Sequence, residues 1–243
     1  MSKTVDTDQC IPAWQVFIIA VSGTSLMKDM RHRVLHVFLP PHGGEGLLGL
    51  SATPARGIVL FAHANGSSRL SPQNQIAAYA LQEVGIATLL FDLLTERKAA
   101  RRYNVFHISL LADRLSKAAS WFETCSRTKT PAGLVWRRHR RRCGLVAAAE
   151  WKDMRAVVSR GGRADLADKV LPRITAPTLL IVGQNYPEVL AWNREAFDRL
   201  QCERRLEVVA GATGPFEEAF VLVTDVILAC TWFLRHLTNG TLE

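Results

Sequence analysis

The sequence has no long unbroken apolar stretch, no Cys-x-x-Cys pair, no low-complexity linker and no internal repeat. Each absence removes a class of protein. The longest apolar run near the N-terminus, Trp14–Val21, falls well short of the roughly 20 apolar residues that a membrane-spanning helix needs. Asp6 and Asp8, with no strongly basic start before them, do not make a secretory leader. The expectation is a soluble, cytoplasmic chain with no membrane partner. Cys10, Cys125, Cys143, Cys202 and Cys230 are odd in number and irregular in spacing, the pattern of reduced thiols rather than of a disulfide framework. No Cys/His cluster has zinc-ligand spacing, so neither a metal nor another cofactor is expected.

What is present is enough for one sizeable core: 243 residues, 48% of them hydrophobic. The net charge of +8 and the isoelectric point of 9.6 are unevenly sourced. Arg137, Arg138, Arg140, Arg141 and Arg142 fall within six residues, and without them the chain is only mildly basic. The global charge therefore points only weakly to nucleic acid. Trp136 is the sole aromatic beside the run, which does not favour single-strand binding. An acidic protein partner stays open, as does the oligomeric state.

Periodicity gives the organisation. Residues 1–33 show no clean period and are expected to be irregular; residues 34–243 read as one domain. Val34–Leu39 and Glu45–Leu50, around the turn Pro40-Pro41-His42-Gly43-Gly44, predict a hairpin. Gly57–Ala62 predicts a buried strand, Gln73–Val84 a helix closed by Gly85, and Ile86–Phe91 a further strand ending at Asp92. Apolar positions 108, 110, 111, 115, 118, 119 and 122 predict a helix over Ile108–Thr124, with His107 as its cap or a surface residue. Leu145–Ala149 and Val189–Leu200 read as helices, as does the long segment Phe220–Leu237. Met154–Val158, Thr178–Val182 and Arg205–Val209 read as strands, with loops at Ser159–Gly162 and Gly211–Gly214. Strands and helices alternating over short loops imply a mostly parallel sheet covered on both faces, with chemistry at the carboxyl ends of its strands.

One segment carries most of the functional signal. Residues 57–68, Gly-Ile-Val-Leu-Phe-Ala-His-Ala-Asn-Gly-Ser-Ser, are a buried strand running into a small-residue turn. Backbone N–H groups in such a turn can face a carbonyl oxygen as half of an oxyanion hole. Taken with GIATLLFDLLT, ISLLADRL, RAVVSRGGRADLA, APTLLIVG and LEVVAGATGPFEEA, in this order from about residue 43 to 233, the chain resembles the dienelactone-hydrolase-like branch of the α/β-hydrolases. The resemblance implies a three-layer αβα sandwich, ester or lactone chemistry on a small-molecule ligand, and an oxyanion loop at Ala64 and Asn65. It also implies a nucleophile on a Gly-x-Ser-x-Gly turn, an acid and a histidine base.

Those three places are empty. The interval Lys129–Gly144 contains no serine, and Arg138 stands where the resemblance puts the nucleophile. The acid loop reads Gly183-Gln184-Asn185-Tyr186-Pro187-Glu188, with Tyr186 near the acid position. The base loop reads Gly211-Ala212-Thr213-Gly214, with Gly214 at the histidine position. The expectation is a hydrolase-family protein that is inactive or nearly so. The alternative is a non-enzymatic protein on the same fold that binds a small ligand or an acidic partner. A third reading keeps an active hydrolase built on Cys143 with His139. Two accounts of the arginine run stand side by side. It is a surface loop, or it marks a local double frameshift, since Trp136–Gly144 read from the second base of each codon can spell a Gly/Ala-rich elbow. On either account five guanidiniums do not belong at a buried strand end, so Trp136–Arg142 is expected at the surface. His63 and Asp92 are expected to be architectural, and Arg160 and Arg163 to form structural salt bridges rather than an anion site.

Overall fold

The computed structural model describes residues 33–40, 44–51, 54–63, 69–94, 107–126, 130–137, 143–213 and 219–237. The eight strands are β1 (Arg33–Leu39), β2 (Gly44–Leu50), β3 (Ile58–His63), β4 (Ala87–Asp92), β5 (Ala132–Arg137), β6 (Met154–Arg160), β7 (Thr178–Gly183) and β8 (Arg204–Val209). The helices are α1 (Pro72–Glu83), α2 (Ile108–Ser126), α3 (Cys143–Glu150), α4 (Pro187–Arg199) and α5 (Ala219–Leu237), with a 3₁₀ segment at Ala164–Arg173. The strands form one sheet in the order β1-β2-β4-β3-β5-β6-β7-β8. β2 pairs antiparallel with β1 and with β4, and every other ladder is parallel.

The central strands are apolar on both faces because both faces are covered. Ile58, Leu60, Leu134, Val157 and Leu180 join one core, under α2, α3, α4 and the 3₁₀ segment. Their alternates Val59, Phe61, Val135, Val158, Leu179 and Ile181 join a second core, under α1 and α5. The period-two alternation thus sends successive side chains into two separate cores, as a buried parallel sheet requires. Gly85 ends α1 with φ 84°, a left-handed turn that only glycine enters without strain, and the chain re-enters the sheet at once.

Two differences from the sequence reading concern strand ends. Ser159 and Arg160 belong to β6, not to a loop, because Arg160 stays in register with Ile181 on one side and Arg137 on the other. Trp136 and Arg137 are likewise in the backbone ladder, opposite Ser159 and Arg160, so the expected strand break does not begin there. The four buried residues Ala132–Val135 already commit β5 to the centre of the sheet, and backbone pairing carries the next two along. Residues 138–142, and residues 1–32, lie outside the described residues.

Candidate functional site

All parallel strands end on one edge, so His63, Asp92, Arg137, Arg160, Gly183 and Val209 mark a single rim. At that rim the segments that follow β7 and β8 are stitched together. Gln184 N–H donates to the Val209 carbonyl at 3.0 Å, and Asn185 N–H to the Ala212 carbonyl at 3.0 Å. The Asn185 side-chain amide donates to the Gly211 carbonyl at 3.2 Å. Gly183 makes this approach possible: a Cβ there would sit 2.9 Å from the Ala212 carbonyl carbon, and closer still to its oxygen. Tyr186 is half-buried, directs its N–H to the Gly183 carbonyl at 3.2 Å, and leads into α4 through Pro187.

On the other side of the rim, Asp92 fixes the chain just before α1. It accepts the Arg69 N–H at 3.3 Å and pairs with the Arg69 guanidinium, which also reaches Glu45. His107 caps α2 by accepting the Leu110 N–H on Nδ1 at 3.1 Å.

Arg160 at the end of β6 and Arg163 just after it both form ion pairs. Arg160 is 1% exposed and donates through Nε to Asp225, itself 0% exposed, at 2.6 Å; its Nη2 contacts the same oxygen. Arg163 holds Asp165 at 2.8 Å and stacks 3.5 Å over the Trp192 ring. The hydrogen bond to Asp165 holds the Arg163 guanidinium above its ordinary pKa. Asn193, fully buried on α4, donates to the Gly162 carbonyl at 2.8 Å and closes the same loop. Asn193 and Asp225 were not read from sequence. Each is a polar residue on the core face of its helix, and in α5, which is otherwise mostly apolar, Asp225 is the only carboxylate.

Of the residues singled out by sequence, Tyr186 is described at the rim, and Cys143 heads α3 with its side chain outside the described residues. Ala64, Asn65, Arg138, His139 and Gly214 also lie outside them. Among the described residues, no group of three or more His, Cys, Asp or Glu could hold a metal. No helix among them is long and apolar enough to cross a membrane.

An eight-stranded sheet in this order, with its helices divided between two faces and its loops gathered at one strand edge, is the α/β-hydrolase fold. Comparison with solved structures narrows the class. The dienelactone hydrolase of Anabaena variabilis is 40% identical, with a TM-score of 0.75 over 84% of this chain and 97% of its own. The chain belongs to the dienelactone-hydrolase family. A cold-adapted esterase from an Arctic intertidal metagenomic library, 14% identical, superposes with a TM-score of 0.62 over 84% of this chain and 96% of its own. A dienelactone-hydrolase-like promiscuous phosphotriesterase from metagenomic libraries, 16% identical, gives 0.62 over 84% and 98%. These two share the fold. Two Mycobacterium tuberculosis proteins, from strains CDC 1551 and H37Rv, are each 44% identical over 210 residues, 86% of this chain. Both carry the name "Putative phosphoribosyl transferase", and this chain spans about half their length, 47%. No family model matches the chain.

Proposed function

We propose that this chain is a dienelactone-hydrolase-family protein in which ester and lactone hydrolysis has fallen close to background. The observation that carries the reading is the pair of stitched loops at β7 and β8. Over the described residues their backbones are hydrogen-bonded to each other, while the sequence offers an amide at Asn185 and no side chain at Gly214. Asn185 uses its amide on the Gly211 carbonyl, Tyr186 stands near the acid position, and Gly214 replaces the base. Arg138 stands at the nucleophile position, in an interval without serine. A hydrolase stripped of nucleophile and base keeps only what an oxyanion loop such as Ala64–Asn65 supplies, roughly 10³–10⁴-fold over water.

The transferase name of the mycobacterial relatives belongs to proteins about twice the matched length, and we assign no transferase activity to this fold. Binding of a small ligand or an acidic partner without turnover is the second reading. The third, catalysis by Cys143 with His139, is separated from both by Cys143→Ala.

A fluorophosphonate probe, which reports activated serine nucleophiles, tests the main reading. The full chain is expected to stay unlabelled under conditions that label an active serine esterase completely. Stoichiometric labelling at any serine would overturn the proposal.

A further inference from the structure

The two edges of the sheet are guarded unequally. β8 carries Arg204, Arg205 and Glu207, charges of the kind that keep a strand edge from joining another chain. β1, the other edge, has no charge after Arg33 and no proline. Its side chains divide with period two. Val37 and Leu39 lie in the core under α2. Val34 and Phe38 point to the opposite side and are 55% and 56% exposed, with exposed His36 between them. His36 pairs with Leu47, which belongs to the core under α1, so this open face is on the α1 side of the sheet. α1 packs over β2 and β4 and reaches as far as Gly49, the β2 partner of Val34, where Gln82 fills the space that a side chain would take. Among the described residues, that cover leaves Val34 and Phe38 open.

The sequence supplies a matching apolar segment directly upstream. Residues 1–32 lead into Arg33, the first residue of β1, and within them Trp14–Val21 is uncharged and free of proline. An eight-residue window of this composition is an aggregation hazard if it stays in water, as is an apolar strand edge. We propose that Trp14–Val21 folds back over the open face of β1 and buries Val34 and Phe38. The connection is long enough. Residues 22–32 span up to about 36 Å when extended, against about 23 Å for the seven residues of β1. Gly23, flanked by Ser22 and Thr24, supplies turn chemistry at the start of that connection. A second copy of the chain could offer its own β1 to the same face. The tethered segment outcompetes it, because a short flexible connection sets an effective concentration in the millimolar range. The proposal stands whether or not the chain hydrolyses esters.

Amide hydrogen exchange of the full chain tests this, with light scattering on the same samples. Peptides covering residues 14–21 are expected to exchange at least about tenfold more slowly than an unfolded chain, at every protein concentration. Phe38→Asp and Val34→Asp, both at exposed positions of the domain, are each expected to abolish that protection while peptides from β7 stay protected. Ile18→Asp is expected to abolish it too, and to lower Tm by about 5–10 °C. Four results would overturn the proposal. Exchange of residues 14–21 at the unfolded rate in wild type would show that the segment stays off the sheet. Protection that appears only as a dimer forms would assign the open face to a second copy. Protection that survives both aspartate variants of β1 would put the segment elsewhere. An unchanged Tm in Ile18→Asp, which needs no change to the domain itself, would show that the segment buries nothing.

Discussion

The Arg160–Asp225 pair ties the carboxyl end of β6, beside the expected elbow of β5, to the helix that follows the base-position loop. Its removal is the most informative perturbation of the scaffold. Both partners are fully buried, at 1% and 0% exposure, and both guanidinium contacts fall on one carboxylate oxygen. Arg160 Nη1 and the other Asp225 oxygen are buried with no acceptor or donor. The pair is therefore under-satisfied, and its net contribution over an apolar replacement is small. Each partner alone is nonetheless costly to lose, because the other stays behind as an unmatched buried charge. Asp225→Leu and Arg160→Met are each expected to destabilise by about 3–5 kcal/mol, a fall in urea midpoint of roughly 1–2 M. The double variant Arg160→Met/Asp225→Leu is expected to cost less than either single one, and near-neutrality would be unsurprising for a volume-matched swap. Equilibrium urea unfolding of the four proteins closes the cycle. A double variant as unstable as the sum of the singles, or an Asp225→Leu cost under about 1 kcal/mol, would refute the reasoning.

Three further outcomes are expected. Gly183→Ala places a Cβ against the Ala212 backbone and loosens the bonds from Gln184 and Asn185, so urea unfolding should show a loss of about 2–4 kcal/mol. Cys230, buried between the sheet and α5, has its thiol pushed up to about 11 by desolvation, with Arg160 lowering it and Asp225 raising it by less. The folded state thus holds the proton more tightly than the unfolded chain; this contribution to stability is complete below the ordinary value of 9.0 and is lost as the pH rises towards about 11, which pH-dependent urea midpoints of wild type against Cys230→Ala would report. Gly214→His alone should restore no esterase activity; rescue should need an elbow Gly-x-Ser-x-Gly at 136–140, an aspartate near 186 and Gly214→His together, because triad members act as a unit, and activity in the single variant would contradict this.

The sheet was legible because its strands are apolar runs of the right length punctuated by glycine and proline. Ile58–His63 and Thr178–Gly183 could be read to within a residue or two. β5 was not read from pattern, since Ala-Gly-Leu-Val-Trp-Arg is short and runs into charge. Its existence follows from pairing with two neighbours, a tertiary effect that local sequence does not carry. The 3₁₀ segment Ala164–Arg173 was missed for a related reason: Pro172 and scattered charges hide the buried Ala164, Ala167 and Leu171. At the site, Asp92, Arg160 and Arg163 form the ion pairs that a structural role implies, while the proposed losses at Gly214 and in the acid loop rest on the sequence alone. The stitching of Gly183 to Ala212 was not readable, because it depends on two loops meeting in space.

The central claim is that a dienelactone-hydrolase scaffold is kept while its hydrolytic residues are gone. Steady-state turnover of p-nitrophenyl acetate by the full chain tests it most directly. The expected rate is at most the roughly 10³–10⁴-fold over water that an oxyanion loop and binding leave, far below one turnover per second. A kcat of about 1 per second or more, within the ordinary range of enzymes, would contradict the claim and show that a nucleophile other than the expected serine is at work.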